Sequence, residues 1–253
     1  MYNPGSDGEF NVDIDGDGVL EHVHVDADVL GPKAKRTYKA VEFFAEGHWD
    51  KFFLQGSYTW SKSEGNTEGG VKSDIGQDDT GTTQDFDYPQ LMIGADGPLP
   101  NDRRHSFKLF GNYQFNDEWS MGGNVLLQSG RPINCIGILG NDPVGYGASY
   151  FSCDTGAPDD FGDNGSTIVP RGTRGRTPWT HTLDFNVAYR PSAADGHLTL
   201  KMDVFNVFNE HSVTSVSEAG EDGAGIPLFN TTYKVPLTFQ DARAVRFLVQ
   251  YDY

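Results

Sequence analysis

The strongest candidate for chemistry is an acidic segment near the start of the chain. Counted from Asp13, carboxylates lie at the first, third, fifth and ninth positions, and a glycine, Gly18, lies at the sixth. This spacing resembles a calcium loop, although an EF-hand would need Glu at the twelfth position, where the chain has His24. The candidate Ca²⁺ ligands are Asp13, Asp15, Asp17 and Glu21. The pattern is nearer to the shorter calcium loops of β-propeller and adhesion repeats. The competing interpretation is an acidic surface turn, because Asp and Gly favour turns.

A second cluster alternates polar with apolar residues directly after this segment. Its members, which share one face at strand spacing, are His22, His24, Asp26 and Asp28. Imidazole and carboxylate groups together can bind a transition metal. A solvated strand face is the favoured interpretation, because exposed polar faces are far more common than metal sites.

A basic cluster and two cysteines complete the candidate sites. Arg171, Arg174 and Arg176 precede Pro178 and are candidates for contact with an anionic substrate; the alternative is pairing with nearby acidic loops. Cys135 and Cys153 lie in loop-like surroundings without metal-binding spacing. We expect a Cys135–Cys153 disulfide if the loop is extracytoplasmic, and two free thiols otherwise.

Composition and motifs narrow the function classes. The chain has 253 residues and a formal net charge of −17, which makes a nucleic-acid partner improbable. No nucleophile elbow, zinc-protease helix, phosphate-binding loop or dinucleotide fingerprint occurs, so we do not expect an enzyme. Hydrophobic residues make up 37% and the chain contains 31 glycines, which suits short strands joined by polar loops.

Alternation of apolar and polar residues is the main structural signal. It predicts strands over 37–46, 50–62, 103–115, 119–129, 179–190, 197–209 and 242–253. Three connections are short: Gly47-His48, Asn116-Asp117-Glu118 and Pro191–Gly196. The other three, roughly 63–102, 130–178 and 210–241, are long and polar. Short turns that alternate with long loops, and strands near the 9–11 residues of a tilted membrane crossing, are typical of an outer-membrane β-barrel.

Seven antiparallel strands leave two open edges. In lipid each unpaired backbone group costs several kcal/mol, and single-chain bacterial barrels have even strand numbers from eight upwards. Val19–Leu30 is a candidate eighth strand. The simpler expectation is that further strands precede Met1.

Four segments resemble the last strands of TonB-dependent receptors, most closely the Oar-like subgroup. They are Asn101–Phe107, Ser129–Pro132, Arg176–Trp179 and Asp203–Asn209, and Tyr58–Lys62 with Gly65–Gly69 adds to the likeness. The resemblance covers roughly residues 36–253. It implies an all-β fold: an antiparallel transmembrane barrel segment of about seven to eight strands with long extracellular loops, in the outer membrane of a Gram-negative bacterium.

The resemblance also implies partners. In the family about 22 strands surround an N-terminal plug, and a short N-terminal segment engages TonB. This sequence has no counterpart of either, so the expected partners are the remaining barrel and plug, the TonB complex and outer-membrane lipid. We expect residues 1–36 to form an acidic extracellular loop or hairpin and 37–253 the C-terminal barrel strands. The predicted role is energised uptake of a siderophore, oligosaccharide or peptide, for which this chain is not competent alone. The alternatives are a calcium-binding adhesin-type surface protein and a small autonomous outer-membrane barrel.

Overall fold

The computed structural model describes residues 5–81, 83–140, 142–154, 166–222 and 228–253. Its main element is one antiparallel sheet in which each long strand pairs with the next along the chain. The seven long strands are β1 (Arg36–Trp49), β2 (Phe52–Gly65), β3 (His105–Gln114), β4 (Trp119–Gln128), β5 (Thr180–Tyr189), β6 (Leu198–Phe205) and β7 (Ala244–Tyr251). A two-residue strand, Gly97–Pro98, joins the end of β2 as an eighth member. The all-β, antiparallel prediction is confirmed.

The remaining elements are short. The strands outside the main sheet are Gly8–Val12, Glu21–Val25, Ser152–Cys153, Thr167–Ile168, Val213–Val216, Glu221–Asp222, Leu228–Phe229 and Pro236–Phe239. The 3₁₀ helices are Ser73–Ile75, Pro89–Met92 and Ser192–Ala194. Within the described ranges, no helix has the length and apolar character needed to cross a membrane.

The strand register places most of the apolar side chains of the seven strands on one face of the sheet. Across the middle of the sheet Gly56 is paired with Leu109, Leu109 with Val125 and Val125 with Leu183. Because alternate residues point to opposite faces, this register extends one apolar face from β1 to β7. That face is solvent-exposed in the isolated chain; Phe247 and Val249 on β7 are 76% and 71% exposed. An exposed apolar face of this extent needs another surface, and lipid supplies it.

The opposite face is mainly polar and carries charged groups. Across its centre lie Lys108 on β3, Asn124 on β4 and Asp184 on β5. At β6 and β7, Asp203 forms an ion pair of 2.8 Å with Arg246. A face of this kind suits the water-filled or plug-filled interior of a large barrel.

Aromatic residues mark both ends of the apolar face. At the end with the short turns, Trp119 stacks on Tyr189 at 4.4 Å and Trp49 on Phe52 at 5.4 Å. At the other end His105 stacks between Tyr58 and Trp179, with ring centroids 6.2 and 5.7 Å away.

The spacing of these two aromatic rows fits a membrane. Trp60 lies eight positions after Phe52 on β2, and Tyr113 lies eight positions after His105 on β3. At about 3.3 Å per residue this is roughly 26 Å along the strand. A tilt of about 40° reduces the height to roughly 20 Å, near the apolar band of an outer-membrane barrel, which is about 25 Å tall.

Three sequence-based predictions need correction. Gly47 and His48 are not a turn: they continue β1 and pair with Leu54 and Phe53. The sixth strand ends at Phe205 and not at 209, because Asn206 adopts a left-handed φ of 48° and turns the chain.

The third correction concerns the candidate eighth strand. Val19–Leu30 does not add to the main sheet; its central part, Glu21–Val25, pairs with Gly8–Val12 in a separate hairpin. The main sheet therefore ends at β1 on one side and at β7 on the other, and these two strands do not pair.

Candidate functional site

Among the described residues, the buried hydrophobic side chains lie in the long loops at one end of the sheet and not in the sheet itself. We call them the first (66–104), second (129–179) and third (206–243) outer loops. One buried cluster joins the first loop to the second and consists of Met92, Ala95, Ile136 and Phe151. A second cluster contains Cys135, Cys153 and Val169, with Tyr233 of the third loop packed against it. Since the clusters join all three loops, the described parts of the outer loops form one packed cap at this end of the sheet.

The two cysteines of the second cluster are joined by a disulfide. Their Cα atoms are 5.6 Å apart, and their sequence separation is 18. Both residues are at most 2% exposed. The third loop lies directly against this region, since the Ile136 amide donates to the Glu218 carbonyl at 2.8 Å and the Gly220 amide to the Ile136 carbonyl at 2.8 Å. The disulfide therefore fixes the part of the second loop on which the third loop packs.

Arg171 lies at the centre of the cap. Its side chain is fully buried, its Nη2 donates to Asp74 Oδ2 at 2.6 Å, and its guanidinium lies 4.6 Å from the Phe151 ring centroid. Asn134 Nδ2 donates to the other Asp74 oxygen at 2.5 Å and to Glu218 Oε2 at 2.6 Å. These bonds connect the three outer loops through charged and polar groups that are shielded from water.

A second buried ion pair also lies near Phe151, whose ring centroid is 5.4 Å from Lys72 Nζ. The Lys72 ammonium is 3.5 Å from Asp85 Oδ1, and both side chains are fully buried. Lys72 also donates to the Ser149 carbonyl at 3.1 Å. Burial lowers the pKa of Lys72 below its ordinary value, and the nearby carboxylates of Asp85 and Asp74 oppose that shift. Buried pairs of this kind are strongly destabilised when one partner is removed.

Acidic residues of the first and second outer loops have hydrogen-bond partners within the cap. Burial, followed by the nearby Asp74 charge, raises the pKa of Glu68, whose carboxylate accepts from the Ser73 amide at 2.6 Å. Burial and a hydrogen bond to Asp142 raise the pKa of Tyr150 to about 12. Several of the carboxylates that the sequence placed in external loops thus have internal partners.

Three of the four segments that carried the family resemblance meet at the outer ends of the strands. Asp102 is fully buried; its carboxylate accepts from the Ser63 amide at 2.7 Å and pairs with Arg104 Nε at 2.9 Å and with Arg176. Arg176 also donates to the Gly130 carbonyl at 2.9 Å. Gly130 itself lies against the Thr177 backbone, and a Cβ there would overlap the Thr177 carbonyl. These residues anchor the loops to β2, β3 and β5, a role that the sequence alone did not reveal.

The three predicted substrate-binding arginines have different surroundings. Arg171 and Arg176 are engaged with Asp74 and Asp102. Arg174 is half-buried, and its Nε has no hydrogen-bond partner among the described residues. Substrate contact by this cluster stays a prediction, and Arg174 is its most available member.

A cavity of about 390 Å³ opens between the outer loops. Asp74, Arg131 and Glu218 supply charged groups to its wall, and Ile136 and Leu237 supply apolar ones. Arg131 pairs with Glu218. A mixed wall of this kind can contact a polar ligand through hydrogen bonds and through its apolar parts.

The acidic segment at the start of the chain forms the turn of the hairpin. Carboxylate oxygens of Asp13, Asp15 and Asp17 lie within 4.8 Å of one another. Asp13 accepts from the Gly16 and Gly18 amides at 2.6 and 2.8 Å. Glu21 accepts from the Ile14 amide at 2.8 Å instead of joining the three aspartates. Calcium binding stays a prediction, and its three aspartates are the residues that the structure brings together.

Comparison with known proteins gives a consistent assignment. The profile of the family described as "TonB dependent receptor-like, beta-barrel" matches residues 27–207. The TonB-dependent transporter Oar of Myxococcus xanthus is 29% identical over 262 residues, which cover 88% of this chain and 23% of that protein. The chain therefore spans about a quarter of the length of this relative.

Solved structures with a similar arrangement include two outer-membrane proteins. The ferripyoverdine receptor of Pseudomonas aeruginosa has a TM-score of 0.48 at 12% identity and matches 98% of this chain and 23% of its own. The outer membrane transporter YddB of Escherichia coli has a TM-score of 0.48 at 13% identity, with 98% and 28% covered. Because these scores are below 0.5, the assignment rests on the sequence match and on the arrangement of strands. The chain belongs to the β-barrel family of TonB-dependent receptors, proteins of the Gram-negative outer membrane.

Proposed function

We propose that this chain supplies seven barrel strands and the outer-loop cap of a TonB-dependent receptor that takes up a ligand with energy delivered through TonB. The observation that carries the proposal is an open sheet with one apolar face and one polar face. The remaining barrel strands and the plug are the proposed partners within the receptor. The proposed cargo is a siderophore, an oligosaccharide or a peptide, the classes that the family resemblance implies.

The open edges support the need for further strands. The outer sides of β1 and β7 carry backbone groups that no strand of the described chain pairs. Lipid cannot hydrogen-bond to these groups, and each one left unpaired costs several kcal/mol. A closed eight-stranded barrel would be filled by its own side chains and would have no room for a plug or a ligand path. Additional strands at both edges would satisfy the backbone and widen the interior.

A calcium-binding surface protein of the adhesin type is the second candidate. The convergence of Asp13, Asp15 and Asp17 favours it, and Ca²⁺ is its proposed cofactor. The lipid-suited apolar face of the main sheet favours the receptor, because an adhesin would hydrate the outer face of its sheets. A calcium loop on the hairpin is compatible with the receptor as well.

Co-production of the missing strands tests the receptor proposal. We expect the 253-residue chain alone to give no heat-modifiable band in outer membranes. Co-production with a plug-plus-early-strand fragment of Myxococcus xanthus Oar should produce one, because the fragment pairs with the β1 and β7 edges. A stable, heat-modifiable monomer from this chain alone, with ion conductance in planar bilayers, would support the small-barrel alternative instead.

Two adjacent positions on β7 provide a matched control. Phe247 lies on the apolar face and Leu248 on the polar face. Phe247→Lys should prevent assembly, since a lysine near the bilayer centre costs about 2–4 kcal/mol on the lipid side of a barrel. In the same co-production experiment, Leu248→Lys should assemble like the parent chain.

A further inference from the structure

A histidine and two aspartates converge at the open end of the N-terminal hairpin, away from its Asp13 turn. Ligand atoms of Asp7, His24 and Asp26 all lie within 4.8 Å of one another. His24 Nε2 is 3.3 Å from Asp26 Oδ1 and 3.9 Å from Asp7 Oδ2. The three residues come from separate parts of the hairpin: before its first strand, within its second and just after it. The fold therefore assembles this group, whereas sequence spacing had placed His24 and Asp26 together with His22 and Asp28 and without Asp7.

Contacts outside the group hold two of the three residues in place. Asp7 Oδ1 accepts from the Ala27 amide at 3.0 Å, which leaves Oδ2 directed at His24. His24 Nδ1 lies 2.7 Å from Glu9 Oε1, its partner across the two strands. The other Glu9 oxygen, Oε2, is 2.9 Å from His22 Nε2.

The Glu9 contact has a specific chemical consequence. When a carboxylate accepts the Nδ1 proton of a histidine, the neutral ring carries its lone pair on Nε2, and the ring is held in one orientation. Metal-binding histidines almost always have such a partner on the second nitrogen. Here the Nε2 atom that Glu9 would leave free is the one that faces two carboxylate oxygens.

The distances also fit a small divalent ion. Zinc binds imidazole nitrogen and carboxylate oxygen at about 2.0–2.2 Å, so two ligand atoms at tetrahedral angles are about 3.3–3.5 Å apart. The Asp26–His24 separation of 3.3 Å already has this value, and the Asp7–His24 separation of 3.9 Å needs only a small side-chain adjustment. Mixed nitrogen and oxygen ligands favour a borderline transition metal over Ca²⁺ or Mg²⁺, which take oxygen ligands.

We propose that Asp7, His24 and Asp26 form a binding site for a divalent transition metal of the Zn²⁺ type, with Glu9 as the residue that positions His24. Three protein ligands leave a fourth coordination position for water or for a donor atom of another molecule. The site is distinct from the candidate calcium loop, which lies at the opposite end of the same hairpin. It is also independent of the proposed uptake function.

Competition between the full chain and a chromophoric chelator for Zn²⁺ tests the proposal in detergent solution. The parent chain should bind one equivalent that His24→Gln and Asp7→Asn both lose. Glu9→Gln should retain the site with affinity lowered about 10- to 100-fold, the usual effect of removing such a partner. A partial loss of zinc affinity in Glu9→Gln, against a complete loss in His24→Gln, distinguishes a residue that positions a ligand from a ligand itself.

Two control variants separate this site from other sources of zinc binding. His48→Gln removes another exposed histidine that contacts a carboxylate, Glu46, at 2.8 Å, and it should bind zinc like the parent. Asp15→Ala disrupts the calcium-loop candidate and should likewise keep the site. Parent-like zinc binding by His24→Gln, or an equivalent lost in Asp15→Ala but kept in His24→Gln, would overturn the proposal. Absence of a zinc equivalent in the parent chain would overturn it as well.

Discussion

Replacing Arg171 by Met is expected to destabilise the packed outer loops by about 3–5 kcal/mol, the usual cost of removing one partner of a buried ion pair. The substitution leaves the Asp74 carboxylate in the cap without its 2.6 Å guanidinium partner. It also removes the cation from the Phe151 ring. Because the sheet has its own hydrogen-bonded ladder, we expect local opening of the cap and not loss of the strands. Native-state hydrogen exchange of the described parts of the first and second outer loops measures this opening directly.

Arg174→Met is the matched control for that experiment. Arg174 is three residues away and half-buried, and the structure gives its side chain no carboxylate partner within the described residues. Its replacement should change protection by no more than about 0.5 kcal/mol, as for most substitutions outside buried networks. Equal effects of the two substitutions would contradict the central position given to Arg171.

The second large effect concerns the disulfide. Removing it by the double substitution Cys135→Ala and Cys153→Ala should cost about 3 kcal/mol, since the bond closes a segment of 18 residues. Because both side chains lie in the dry cluster with Val169, alanine avoids adding a polar group there. The loss of cap stability can be measured as reduced resistance to limited proteolysis across a series of urea concentrations.

Chemical reduction supplies an independent comparison for the disulfide. The parent chain in reducing agent should match the double alanine variant, because both lack the covalent link. If the parent is indifferent to reduction, or if both thiols are alkylated in non-reduced outer-membrane material, the bond does not form in the native protein.

The strands were predictable because the alternation of apolar and polar residues is visible within the sequence of each strand. Alternation along β5, with Leu183, Phe185 and Val187 on one side, needs no knowledge of distant residues. The turn over Asn116-Asp117-Glu118 was equally local, since Asn116 Oδ1 accepts from the amides of Glu118 and Trp119. The same local reading failed at Gly47, where pairing with Leu54 extended β1 beyond the predicted turn.

The cap was not predictable because its contacts are long-range. Arg171 and Asp74 are 97 residues apart, and Lys72 and Ser149 are 77 apart. The sequence indicated polar loops and allowed pairing of the basic cluster with acidic loops, but it did not show that the loops bury these charges against one another. A charged residue that is paired within a loop cannot be distinguished in the sequence from one that is exposed to solvent. The only sequence feature that singled out Arg171 was therefore its position in a basic cluster. The Asp7–His24–Asp26 group was missed for the same reason, since the hairpin register decides which carboxylates meet the imidazole.

Spin labels along β5 test most directly the claim that this sheet crosses the membrane as part of a receptor barrel. Single labels would replace the apolar-face residues Leu183, Phe185 and Val187 or the polar-face residues Thr182, Asn186 and Ala188 in the chain assembled in the outer membrane. We expect accessibility to alternate with a period of two: high to oxygen and low to a water-soluble nickel chelate on the first set, and the reverse on the second. High nickel-chelate accessibility at all six positions, without alternation, would contradict it and would identify the sheet as that of a water-exposed β protein.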